Sequence, residues 1–481
     1  MKQQMTLGMY IHMHWGYNYP YAARTWHIED WQNYMVGLKT LGYSLVQIWP
    51  MIDTMPLKLT SSDRAHLKKL QRVIDIAHDL NLTVYVGAAA NTLGNEKAAN
   101  FAFEKRPYFT AERLINPADA TEIRDLTTAR LQILEPLKAA DGFWIIDSDP
   151  GGYVSSSPID FVQLFNVHRQ VLDQLRPGIK LLYWMWQGWH GQARFKWEWV
   201  QQQQPWWRET LEGIAALAPE PWGILACWKP HFEIIDNLDL TARTLYFPYG
   251  AIEGEPNFPW TNYNPERIEA VFSHFPRHLH PLGVLGNAQS HCLQLPHTYL
   301  FQQFASGIPA NQIDLVGFAE NVLPAHGKPL AAAWRALAGE DVDALRDAAA
   351  RLPDTKSLAG GKLAALCFND TQRLLNDLNA QLALKIAALD LKQSIRLNQS
   401  LREPFDRLKS TIQTWYDFHG FKDWYYGGPF KDLLHPILKS LAAATKSGAT
   451  IAQALEQFDS GGQHDAFIRL FNFLKTHHLQ K

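Results

Sequence analysis

Eight short apolar runs recur between residue 5 and residue 292, most of them separated by a segment with the periodicity of an amphipathic helix. They occupy residues 5–15, 44–51, 82–89, 142–149, 180–187, 222–228, 244–250 and 282–289. Alternation of this kind marks βα units around a parallel sheet. Eight of them in a row fit a closed (β/α)8 TIM barrel better than an open sheet. Caps delimit the intervening helices. Ser157, Pro158 and Asp160 suit the N-cap, first position and first turn of one helix, and Asn264-Pro265-Glu266 repeats the device. The connection 229–243 carries no long periodic stretch and should be short or irregular.

Beyond about residue 325 the aromatics thin out, Ala and Leu dominate, and patterns such as KLAALCFNDTQRLLNDLNAQLALKIAALDL run for several helical turns. The reading is therefore α/β, a barrel over 1–325 followed by an all-α C-terminal domain over 326–481. A chain of 481 residues with 47% hydrophobic and 19% charged residues can bury two such cores.

A formal net charge of -2 gives no electrostatic reason to bind a polyanion, so nucleic acid is not an expected partner. No apolar stretch approaches the roughly 20 residues a membrane span needs. The three cysteines, Cys227, Cys292 and Cys367, lie far apart with no metal spacing. Neither cofactor nor metal is expected. The start MKQQMTLGMYIHMHW lacks a secretory pattern, which favours the cytoplasm, although a secreted mature form would read the same way. One feature of the composition stands out: 18 Trp, most of them before residue 261, accompany 17 Tyr and 24 Phe.

In a TIM barrel the chemistry sits at the C-terminal ends of the strands, so the search narrows to eight windows. The fourth delivers Asp147 and Asp149. Strand alternation puts both on one side with Ser148 opposite, and two nearby carboxylates raise the pKa of one, which suits it to general acid work. The seventh window brings Glu253 and Glu255 with Tyr249; Glu253, nearer the strand end, is the preferred partner across the mouth for the two-sided attack that glycosidic cleavage requires. Trp49, Trp184, Trp186 and Trp228 at other strand ends suit sugar stacking, with Gln187 beside them. Asn287, Gln289 and His291 suit hydroxyl recognition. The first window adds His14, Trp15 and Tyr17, followed by Arg24, a fit for a substrate carboxylate.

These features together resemble the barrel glycoside hydrolases, over about residues 5–325. DSDPGG, residues 147–152, is similar to the paired acids of hexosaminidase-type and chitinase-type enzymes, although it lacks the final acid of a DxDxE pattern and its acids are not adjacent. The resemblance implies that one carboxyl protonates the leaving group while its neighbour orients an acetamido group. Catalysis is accordingly expected from Asp147, Asp149 and Glu253, on a carbohydrate substrate. Two other readings stay open: His12-Met13-His14 resembles the metal-binding start of amidohydrolase-type barrels, with His190 and His231 as further ligands, and an aromatic cleft also serves a carbohydrate-binding protein without turnover.

Overall fold

The computed structural model describes residues 5–107, 111–148, 151–189, 204–252, 261, 263–273, 281–288, 290–353, 358–420, 428–444, 450–453 and 455. Eight parallel strands close a barrel: β1 (Thr6–His12), β2 (Leu45–Trp49), β3 (Thr83–Ala89), β4 (Gly142–Ile146), β5 (Lys180–Met185), β6 (Trp222–Ala226), β7 (Thr244–Tyr246) and β8 (Gly283–Ala288). Each lies within one of the eight apolar runs, and each pairs with its neighbours in chain order. A short antiparallel ribbon, Thr92–Gly94 with Glu112–Leu114, is inserted between β3 and β4.

The expected caps form. Asp160 accepts hydrogen bonds from the Ser157 backbone N–H at 2.6 Å and its hydroxyl at 2.9 Å, opening the helix Pro158–Leu175. Asn264 accepts from the Arg267 N–H at 2.9 Å at the start of Pro265–Ser273. After β6 come the short helix Lys229–Asn237 and a 3-10 turn, Thr241–Arg243, as the weak periodicity of the connection predicts.

The barrel interior is aromatic where branched aliphatics are the usual filling. Rings of Tyr10 from β1, Trp49 from β2, Trp144 from β4, Trp184 from β5 and Phe247 after β7 meet with centroids 4.7–5.6 Å apart, mostly edge to face. Rings from five strands can meet only on the inner face. Gly87 makes room for them, since a Cβ there would overlap the Trp144 ring. The same parity turns Gln47, two residues before Trp49, inward. On β8 it does the same for Asn287, because Leu285, two residues earlier, abuts the inner side of Gly8 on β1.

The chain forms two compact units. The first holds Met1–His14, Gly42–Tyr249 and Ala270–Asn287, which includes nearly all of the barrel sheet. The second gathers Trp15–Leu41, Gly250–Glu269 and Ala288–Lys481. Its longest helix, Thr371–Arg396, packs against Arg402–His419 and Val342–Arg351 and buries Leu374, Leu378, Leu382 and Leu389. Among the described residues no helix is long and apolar enough to cross a membrane.

Candidate active site

At the end of β4 the Asp147 carboxylate is completely buried. Its oxygens accept from the Tyr183 hydroxyl at 2.8 Å, the Ser148 hydroxyl at 2.9 Å and the Trp186 N–H at 3.2 Å. Burial is the largest influence on its pKa and lifts it to about 6, against the pull of hydrogen bonds from Tyr183, Ser148 and the backbones of Trp186 and Gly188. The rise expected from a like-charged neighbour thus has desolvation as its main source. Parity explains the environment: Trp144 points inward, so Asp147 leaves the strand on the opposite face, beside Tyr183, whose ring packs on Phe161 of the flanking helix. Asp147 thereby ties the end of β4 to the end of β5. Ser148, in turn, accepts from the Gln187 N–H at 3.2 Å. Asp149, Glu253, Glu255, Gln289 and His190 lie outside the described residues.

The aromatic residues fall into two groups. Trp49, Trp184 and Trp186 are buried and engaged with other rings, so they build the lumen. The Trp184 indole also donates to the Cys227 sulfur at 3.0 Å. Trp228 and Tyr249 are half-buried, as is Gln187, and both rings contact Trp186, at 5.1 and 4.8 Å between centroids. These three give the rim accessible stacking faces and an amide. Among the described residues, the indole nitrogens of Trp186 and Trp228 find no acceptor, and neither amide atom of the fully buried Asn287 finds a partner. A buried polar group without a partner costs about 1–3 kcal/mol unless a ligand or water satisfies it.

On β2 the Trp49 indole donates to Asp53 at 2.8 Å. Asp53, fully buried, also accepts from the Ala89 N–H at 2.7 Å and from Arg130 at 3.3 Å. Sequence reasoning passed over Asp53; its only signal was its position four residues after Trp49 at a strand end. At the end of β1 the rings of His12 and His14 touch, with His12 Nε2 and His14 Nδ1 2.6 Å apart. A cation held by that pair of nitrogens would first have to separate them. His231, the other described histidine of the metal reading, accepts the N–H groups of Cys227 and Trp228 at 3.1 and 3.3 Å through Nδ1, a helix-capping arrangement, and burial lowers its pKa to about 3.

Trp15, Tyr17, Arg24 and His291 belong to the second unit, where all four are buried. Trp15 and Tyr17 stack with centroids 6.1 Å apart. His291 Nδ1 bonds to the Tyr34 hydroxyl at 2.9 Å, its ring meets Trp26, and burial pushes its pKa down to about 3.

No protein-family model matches the chain, and no curated protein matches it. Among solved structures it is similar to CpGH84B, at 10% identity and a TM-score of 0.47 over 90% of this chain and 77% of that one. It is also similar to a mutant of the Thermobaculum terrenum O-GlcNAc hydrolase, at 10% identity and 0.43 over 94% and 97% of the two chains. A third likeness is to a glycoside hydrolase family 20 β-N-acetylglucosaminidase, at 10% identity and 0.39 over 62% and 68%. These structural neighbours are glycoside hydrolases, and no single family is assigned.

Proposed function

We propose that this chain is a glycoside hydrolase that cleaves an oligo- or polysaccharide by carboxylate acid/base chemistry at the C-terminal rim of the barrel. The observation that supports the reading most is the Asp147 carboxyl, buried at the end of β4 with its pKa raised to about 6, in a barrel whose rim carries half-buried Trp228, Tyr249 and Gln187. A charge fixed by so many donors needs no reorganisation when positive charge develops on a sugar ring. In this scheme Asp147 supplies that charge and holds the β5 rim, Asp149 donates a proton to the glycosidic oxygen, and Glu253 acts as nucleophile or base. Trp228 and Tyr249 stack on the sugar, while Gln187 and the unpartnered Asn287 read hydroxyls.

The test is a panel of aryl glycosides that includes N-acetylhexosaminides, because of the likeness of DSDPGG to hexosaminidase-type acids. Release of aryl alcohol from one sugar class is expected. Proton NMR of the first-formed anomer then reports whether the two carboxyls act by retention or inversion. Absence of turnover across the panel would reject the enzyme reading in favour of a carbohydrate binder.

A further inference from the structure

The residues that lead out of β5 depend on one carboxylate. Asp147 takes the Trp186 N–H on both of its oxygens, at 3.2 Å to each, and receives a further hydrogen bond from the Gly188 backbone. Between them the Gln187 N–H donates to the Ser148 hydroxyl, which itself donates to Asp147 at 2.9 Å. Trp186, Gln187 and Gly188 are thus held by Asp147 directly or through its neighbour. The carboxyl has to be an anion for this. A proton on either oxygen would set a competing donor against the Trp186 N–H, and a backbone N–H cannot turn round.

Burial works against that anion. Asp147 has no exposed surface, and desolvation is the largest influence on its acidity. The charge is held by donors instead, and the one side-chain donor that reaches Asp147 from another strand is Tyr183, whose hydroxyl lies 2.8 Å from Oδ2. Tyr183 is itself fully buried, with its ring 4.9 Å from that of Phe161. Burial, with the Asp147 charge beside it, keeps its hydroxyl protonated well above the usual phenol range. It is a donor at any working pH. Cys227, just past β6, also feels the Asp147 charge, and burial keeps its thiol neutral. Asp149, two residues on, lies outside the described residues.

We propose that Tyr183 is a positioning residue for the hydrolysis: its buried hydroxyl keeps Asp147 ionised at neutral pH, and the anion so held fixes the stretch Trp186 to Gly188, against which the rim rings Trp228 and Tyr249 pack. The use of that rim on a sugar rests on the glycosidase reading; the link from Tyr183 through Asp147 to Trp186 does not. One hydroxyl then sets the pH below which the end of β5 comes loose.

Two measurements on the full chain test the proposal. In protein labelled with 15N-tryptophan, the Trp186 amide, assigned by its loss in Trp186→Phe, should titrate with a midpoint of about 6. Tyr183→Phe, which keeps the ring, should raise that midpoint by about one to two pH units, the worth of one hydrogen bond to a charged group. Replacing tyrosine throughout by 3-fluorotyrosine, a stronger donor that needs no substitution, should lower it. Asp147→Asn should abolish the titration, and Asp149→Asn should leave it in place. In kinetics on an aryl glycoside, the acid limb of kcat/KM should move up with the amide midpoint in Tyr183→Phe, with a loss of about tenfold near pH 6 that shrinks as pH rises. An unchanged midpoint in folded Tyr183→Phe or in the fluorotyrosine protein overturns the proposal, as does a loss of activity that is equal at every pH. Abolition of the titration by Asp149→Asn would assign the proton to Asp149 and overturn it too. No turnover by wild type, with the midpoint shifts present, would reject the glycosidase reading while supporting the link from Tyr183 to Trp186.

Discussion

The barrel interior and the long helix Thr371–Arg396 bury polar side chains in opposite ways. Along the helix, Asp377, Gln381 and Lys385 form a buried stripe at four-residue spacing, and each has protein partners. Asp377 accepts from the Tyr21 hydroxyl at 2.5 Å and from Arg373 at 3.4 Å. Gln381 accepts from the Thr261 N–H at 2.7 Å and donates to its hydroxyl at 3.0 Å, and Lys385 donates to the Leu337 carbonyl at 2.5 Å. In the barrel, Gln47 and Asn287 are equally buried, and among the described residues none of their amide atoms has a partner. Polar groups satisfied by protein specify how segments pack. Groups left unsatisfied at strand ends mark where a ligand or water must complete the structure. Asp147 combines features of both regions, being saturated by protein yet placed at the C-terminal end of a barrel strand.

The largest expected effect tests that double role. Asp147→Ala would strip the Tyr183 hydroxyl and the Trp186 N–H of their acceptor, and urea denaturation should show a loss of about 3 kcal/mol. A loss of activity without a loss of stability would place Asp147 with the ligand-facing groups alone.

Next comes pH. Burial raises Asp377 to about 7 and Asp147 to about 6, both well above the value of about 3.8 for an exposed aspartate. A raised folded-state pKa means that the folded protein holds the proton more tightly. The stability each group contributes is therefore complete below about pH 4 and lost as pH rises through 6 for Asp147 and 7 for Asp377. Urea midpoints should fall between pH 5 and pH 8, with Asp377 responsible for roughly 2.5 kcal/mol over that interval. In Asp377→Asn, which keeps an acceptor for Tyr21, the upper part of that slope should flatten; an unchanged slope would contradict the assignment.

The sharpest contrast between the regions comes from paired apolar substitutions. Gln381→Leu orphans the Thr261 N–H and should cost about 1–3 kcal/mol while leaving KM unchanged. Asn287→Leu removes no protein hydrogen bond, so its stability should change by less than about 1 kcal/mol, yet kcat/KM should fall at least tenfold. Equal destabilisation by the two changes would erase the distinction.

The barrel was legible because its signals are local and repeated: apolar runs of strand length, Ser157-Pro158 and Asn264-Pro265 caps, and a sparse β6–β7 connection. The surroundings of Asp147 were less so. Alternation predicts Ser148 opposite Asp147, yet both follow the strand in a bend and the Ser148 hydroxyl donates to the Asp147 carboxylate; only contacts across strands reveal that Asp147 sits beside Tyr183. The tryptophans illustrate the same limit. Composition suggested a stacking cleft, and the ring contacts divide that set into lumen filling, Trp49 and Trp184, and rim, Trp228 and Tyr249. Trp15, Tyr17, Arg24 and His291 follow strands β1 and β8 closely in sequence but belong to the second unit, an assignment that no strand pattern encodes.

Acid catalysis at the end of β4, as proposed above, requires a proton donor at Asp149. The most direct measurement compares wild type with Asp149→Asn, following both aryl glycoside hydrolysis and ligand binding by calorimetry. Binding is expected within a few-fold of wild type and hydrolysis reduced by at least a hundredfold, with the deficit smallest for the most acidic aryl leaving groups, which need the least protonation. Hydrolysis undiminished in Asp149→Asn would contradict it.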